Sequence, residues 1–237
     1  MKKVLSLVLA AAMLVGVLAA CTTLEKDENG EYDKGAIIDM YLTTECFDFD
    51  PATGFTDDAQ TKIFGLIYEG LTRINENGKW EKALMKDYVV LDDADGFRIQ
   101  ITLNNTKWSD GRAVQANDIV YAWKRILDPD FDSEAASMLY EIKNARAVKS
   151  GDASIDDLGI ASIDTLVLEI EFETKIDVDY FLETLASPAL VPLREDKVVR
   201  NVNWAKKPTT MVTNGPFVIK AIEYGKSMRL ERSSYYY

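Results

Sequence analysis

Apolar positions along the chain change period several times. Phe97, Ile99, Ile101 and Leu103 alternate with polar residues, and a repeat of two predicts a half-buried strand. Ile119, Val120, Trp123, Ile126 and Leu127 recur at three and four. That spacing predicts an amphipathic helix, stopped at Asp128-Pro129 because proline cannot continue it. Ile63, Phe64, Ile67 and Leu71 share one helical face and predict a helix over 57–71, capped by Thr56 or Asp57. Leu166, Leu168, Ile170 and Phe172 lie on one face of a strand, paired with 160–163 in a hairpin across Asp164-Thr165. A second hairpin joins 217–222 to 228–232 around 223–226. A β-like run over 36–42, a loop over 48–55 with Pro51 and Gly54, a turn over 75–78, a tight turn over 108–111, a loop over 154–159 and a helical stretch over 180–185, closed by Pro188 and Pro192, complete the reading. Strands and helices mix without regular βαβ alternation and without internal repeats, which predicts an α+β or complex α/β fold.

One apolar run differs. Residues 4–20 are broken only by Ser6 and Gly16 and follow Lys2 and Lys3. A positive start, a short apolar stretch and a small-residue site read as a secretory signal over 1–20 rather than a membrane span. Leu18-Ala19-Ala20-Cys21 matches a bacterial lipobox, where small residues precede the cleaved bond and the following thiol receives the lipid. Cys21 is the expected lipidation site. Each buried CH₂ contributes about 0.8 kcal/mol, so several acyl chains hold a protein to a membrane where one does not. Residues 21–35 are polar and acidic and read as a tether.

Charge and composition narrow the function. Loss of the signal takes Lys2 and Lys3 from 27 basic residues and leaves 25 against 39 acidic ones, a formal charge of −14. An acidic body without a basic stripe is a poor partner for nucleic acid. Membrane attachment is therefore expected from lipid rather than from charge. The two cysteines are Cys21 and Cys46 and there is no histidine. With Cys21 lipidated, no intrachain disulfide can form. His-based triads and the commonest zinc ligand are excluded, and no cofactor is expected. Cys46 reads as a small buried hydrophobe. Asp92-Asp93-Ala94-Asp95-Gly96 hints at a calcium loop, but the first and twelfth liganding positions would be Leu91 and Thr102, so it reads as a solvated hairpin turn. Carboxylates are plentiful, yet no spacing singles out a glycosidase pair.

The most specific signal is Trp108-Ser109-Asp110-Gly111-Arg112-Ala113-Val114, followed by Asp118-Ile119-Val120-Tyr121-Ala122-Trp123-Lys124-Arg125. This block closely resembles the W-S-D-G-x-x-V-x-x-x-D-F/I-V-Y-x-W-x-R segment of oligopeptide and dipeptide solute-binding proteins of ABC importers, solute-binding family five. Four more blocks occur in that family's order: Phe49-Asp50-Pro51, Tyr68-Glu69-Gly70-Leu71-Thr72-Arg73, Leu158-Gly159-Ile160 leading into Asp164-Thr165-Leu166, and Val212-Thr213-Asn214-Gly215-Pro216-Phe217. Leu230-Glu231-Arg232 stands where the family has L-E-R-N. Five ordered blocks are far more specific than one. Most of these residues read as structural: Asp110-Gly111 as a turn, Val120 and Trp123 as helix core, Asn214-Gly215 as the re-entry into the first lobe.

The resemblance implies a mixed α/β fold of the periplasmic-binding-protein class II kind. It maps 36–72 to the first segment of lobe I, 73–207 to a subdomain inserted in that lobe, and 208–237 to the return. The second lobe is missing on this mapping, and a truncated or split gene is the expectation. The implied function is a lipid-anchored extracytoplasmic protein that captures oligopeptides and delivers them to the permease subunits of an ABC importer. An extended peptide would lie between lobes as an added strand, and the loop after the first Asp-Pro, Thr53-Gly54-Phe55-Thr56, would touch it, with Gly54 permitting close main-chain approach. The same four residues also read as a plain surface loop. Gln115 stands where the family often has Ser or Thr, a weaker helix cap costing ~1 kcal/mol, and Ala135 replaces an aromatic pocket residue of some relatives. The same fold with a non-peptide ligand or a signalling peptide is the alternative; an extracellular hydrolase ranks last.

Overall fold

The structure is a computed structural model that describes residues 40–46 and 48–237. The chain divides into units Met1–Tyr41 and Leu42–Tyr237. The signal peptide, Cys21 and the tether lie outside the described residues, as does most of the strand expected over 36–42; Met40, Tyr41 and Leu42 are not in a strand. Among the described residues no helix is long and apolar enough to cross a membrane.

The second unit is built around a four-stranded antiparallel sheet. Strands β3 (Met85–Asp93), β4 (Gly96–Leu103), β5 (Ile160–Asp164) and β6 (Val167–Phe172) lie in the order β3-β4-β6-β5. The alternation read in the sequence places Phe97, Ile99, Ile101 and Leu103 inward, paired across the ladder with β6, where Leu168, Ile170 and Phe172 face the same way. Phe97, Phe172 and Phe181 form an aromatic run with ring centres 5.9 and 5.0 Å apart. Two short pairs complete the strands: β1 (Thr72–Ile74) with β2 (Trp80–Lys82), and β7 (Phe217–Glu223) with β8 (Ser227–Arg232).

The long helix over Ala116–Leu127 packs against β5 and β6. Its inner face buries Ile119, Trp123, Ile126 and Leu127, with Trp123 Nε1 donating to Leu190 O at 2.9 Å. Gln115 is the N-cap, but the acid three residues on makes the cap from the other side. Asp118 Oδ2 accepts the Gln115 N–H at 2.9 Å and the Trp108 indole N–H at 3.0 Å. One carboxylate thus fixes both the turn and the helix start, which offsets the weaker cap. At the other end Lys149 Nζ donates to the carbonyls of Ile126, Asp128 and Phe131, a cation on helix C-terminal carbonyls.

Boundaries differ from the sequence reading where local caps decide them. The first amphipathic helix spans Asp58–Ile67, capped by Asp57, whose Oδ1 accepts from Gln60 N at 2.8 Å. Leu71 is buried but lies beyond the helix. The segment read as a loop over 48–55 contains a four-residue helix, Pro51–Gly54. Asp50 caps it and Pro51 stands at its first turn, where the fixed φ and missing N–H are no cost. The loop over 154–159 holds a 3-10 turn, Ile155–Asp157. The Asp-rich segment is the β3–β4 hairpin turn, with Gly96 at φ +118° and Asp93 paired to Arg98 at 3.0 Å.

Candidate peptide-binding face

The residues singled out for ligand contact sit on a short stretch whose shape is set from several sides. Thr53 and Gly54 close the Pro51–Gly54 helix, and Phe55 and Thr56 form the turn into the helix over Asp58–Ile67. Gly54 N donates to Asp50 O at 3.0 Å, Asp57 N to Gly54 O at 3.1 Å, and Thr61 Oγ1 to Phe55 O at 2.9 Å. Thr53 and Thr56 are exposed, Phe55 is half-buried against the core, and Gly54 is buried.

Gly54 is closely packed. A Cβ there would lie 2.1 Å from Gln60 Oε1 and 2.9 Å from Phe64 Cζ. The missing side chain makes room for the next helix.

Two side chains from far along the chain hold the turn from beneath. Arg125 forms a two-pronged ion pair with Asp50, Nη2 to Oδ2 at 2.5 Å and Nη1 to Oδ1 at 3.1 Å, 75 residues apart. The same Asp50 Oδ1 accepts the Ala52 N–H at 3.1 Å, and Ser133 Oγ donates to Ala52 O at 2.6 Å. Arg125 also stacks 3.9 Å over the Phe131 ring. Asp50 and Arg125 each stand in a block quoted above, but nothing in local periodicity pairs them. Ser133 carried no sequence signal. Ala135 is fully buried in the 3-10 helix Glu134–Leu139 that Ser133 caps.

Nearby, Cys46 is buried, and burial, with Asp57 adding to it, pushes its thiol pKa above the ordinary value. That is an inert thiol. Among the described residues no group of His, Cys, Asp and Glu is arranged to hold a metal ion. A buried arginine, Arg194, ties the tight turn to later chain: it pairs with Asp110 at 3.1 Å and Asp196 at 2.7 Å and lies over the Trp108 ring.

This mixed α/β body matches part of the fold of solute-binding proteins. The chain belongs to the bacterial extracellular solute-binding proteins, family 5, whose middle-region model matches residues 79–237. It is 31% identical to the oligopeptide-binding protein OppA of Bacillus subtilis over all of this chain and 44% of that protein. It is also 31% identical to the dipeptide-binding protein DppE of Bacillus subtilis, over 93% of the chain and 41% of that protein. The substrate-binding domain of an oligopeptide ABC transporter from Bacillus anthracis superposes with a TM-score of 0.72 at 32% identity, covering 83% of this chain and 38% of that structure. The chain thus spans less than half the length of these relatives.

Proposed function

We propose that this chain supplies the peptide-contacting lobe of a lipid-anchored extracytoplasmic receptor that captures oligopeptides and passes them to an ABC permease. The observation that carries this reading is its correspondence, over most of its length, with oligopeptide- and dipeptide-binding relatives. The turn at Thr53, Phe55 and Thr56 adds exposed hydroxyls and a half-buried ring on a main chain of fixed shape. Main-chain hydrogen bonding to a peptide gives affinity that is blind to side chains, which suits a receptor for many sequences. The lipobox at Cys21 supports the anchor, and the absence of a basic stripe in the sequence favours lipid over charge as the means of attachment.

Hydrogen exchange of the chain with and without a pool of mixed short peptides at millimolar concentration tests the ligand. Slowed exchange over 53–56 is the expected result; slowing elsewhere only moves the site off this turn, and slowing by a non-peptide solute instead overturns the peptide reading. The anchor is tested separately. Cys21→Ser should abolish labelling by a fatty-acid probe in cells, and labelling that persists rules Cys21 out.

A further inference from the structure

The geometry points to Arg125 as a positioning residue for the peptide site, acting through Asp50 on the Thr53–Thr56 turn it does not touch. The inference rests on the peptide reading above. Four observations carry it together. The ion pair is two-pronged, and both side chains are mostly buried, 17% and 10% exposed. A flat guanidinium matching a carboxylate on two bonds fixes orientation as well as distance, which a point charge does not. The Asp50 carboxylate so fixed is the N-cap of Pro51–Gly54, its Oδ1 shared between Arg125 and Ala52 N. The guanidinium is itself held, stacked on Phe131, on a helix whose position the sheet sets.

The consequence for the site follows from the length of the element. A four-residue helix has no stability of its own, since nucleation costs more than one turn returns. Its shape comes from its ends. Asp50 holds the first end, Ser133 Oγ the carbonyl of Ala52, and Thr61 Oγ1 the carbonyl of Phe55. Of these only Asp50 depends on a second ionised group. Without Arg125 its carboxylate would be left mostly buried with no countercharge, and it would turn toward water. The cap then fails and Thr53–Thr56 lose their fixed main-chain directions, while the sheet and long helices stay put.

Hydrogen exchange of the full chain, read over 52–57, tests this. Arg125→Met should speed exchange there at least tenfold, with 58–67 and 96–103 unchanged. Arg125→Lys should recover part of the protection, because it restores the charge but not the second prong. Arg194→Met removes another buried, ion-paired arginine and should leave 52–57 unchanged. If Arg125→Met does not fold, Arg125→Lys and Asp50→Asn carry the comparison. Exchange over 52–57 that is unchanged in the Arg125 variants, or raised equally in Arg194→Met, overturns the inference and leaves the peptide reading standing. Peptide-dependent slowing over 53–56 in the unaltered chain, lost in Arg125→Met and partly regained in Arg125→Lys, is the expected second result. Its absence from the unaltered chain moves the site off this turn, and overturns with it any role of this clamp in recognition. Slowing kept in full by Arg125→Met overturns the positioning role alone.

Discussion

Asn214 pairs its side-chain amide with both main-chain groups of Glu69, 145 residues earlier: Oδ1 accepts from Glu69 N at 3.1 Å and Nδ2 donates to Glu69 O at 2.9 Å. The amide imitates a neighbouring strand where none runs. Gly215 follows it into the gap, its N–H donating to Ile67 O at 2.8 Å, and a Cβ there would lie 2.4 Å from Ile67 C. Both positions are buried. Asn214→Ala should leave a buried N–H and a buried C=O unpaired and destabilise the fold by about 2–4 kcal/mol. Gly215→Ala should be at least as damaging, because the clash is with main chain that cannot rotate away. Urea unfolding of the two variants checks this; a loss under ~1 kcal/mol in both would mean that the segment re-enters by other contacts.

That pairing also shows what a sequence can and cannot reveal. The Asn-Gly re-entry was legible as a motif, and Phe97 to Leu103 and the Ala116–Leu127 helix were legible as periods, since each buries one face against one neighbour. Strand β3 was not, because most of its residues are exposed on both faces and no alternation results. The Pro51–Gly54 helix is too short to show a period, although Asp50-Pro51 is a cap signal. For the candidate site, the turn was legible as the loop after Asp50-Pro51, whereas the packing of Gly54 against Gln60 and Phe64 becomes visible only in three dimensions. Arg125 and Asp50 meet through the fold alone.

Trp123 belongs to the core rather than to a ligand face. It is fully buried, with its indole N–H on Leu190 O. Trp123→Ala should cost about 3–5 kcal/mol through lost packing and the cavity left behind. Trp123→Phe keeps most of the volume but leaves the Leu190 carbonyl without its donor, and should cost about 1–3 kcal/mol. Thermal unfolding of the two variants gives the order. An unchanged melting temperature in Trp123→Ala would place the indole outside the core.

Acid should weaken the Arg194 cluster. Burial pushes the Asp196 pKa up, but the Arg194 hydrogen bonds and the charges of Arg194, Arg112 and Lys197 outweigh it and hold the group below its ordinary 3.8. A carboxylate depressed in the folded state stabilises fully above its unfolded pKa and loses that stabilisation as pH falls through the folded value. The stability gap between the unaltered chain and Asp196→Asn should therefore be constant above about pH 5 and narrow as pH drops below 3.8. Asp118 opposes it in a different window. Burial raises its pKa despite hydrogen bonds from Gln115 and Trp108, so its contribution falls as pH rises above 3.8. A gap for Asp196→Asn that stays flat through the acid range would show that Arg194 leans on Asp110 alone.

Peptide affinity of the 237-residue chain should be weak. Thr53 and Thr56 are exposed on an open turn, and two cavities of the described surface lie elsewhere. One of about 170 Å³ is lined by Ser109, Met211 and Thr213, and one of about 290 Å³ by Tyr140, Ile142 and Arg146. Sites that enclose a small ligand run to roughly 300–1,000 Å³ and remove most of its surface from water. A peptide lying on an open turn keeps water on its far edge, so each hydrogen bond made replaces one to solvent and contributes only about 0.5–1.5 kcal/mol net. The loss of translational and rotational freedom must be met from that sum. Calorimetry of the chain against mixed short peptides should accordingly give dissociation constants weaker than about 1 μM, equivalent to roughly −8 kcal/mol. Phe55→Ala should weaken this binding further by removing the one apolar ring at the turn, with little change in fold stability because that ring is only half-buried. Saturable binding tighter than 1 μM would mean that a covered site forms on this chain when peptide arrives, and the residues whose amide exchange then slows would locate it.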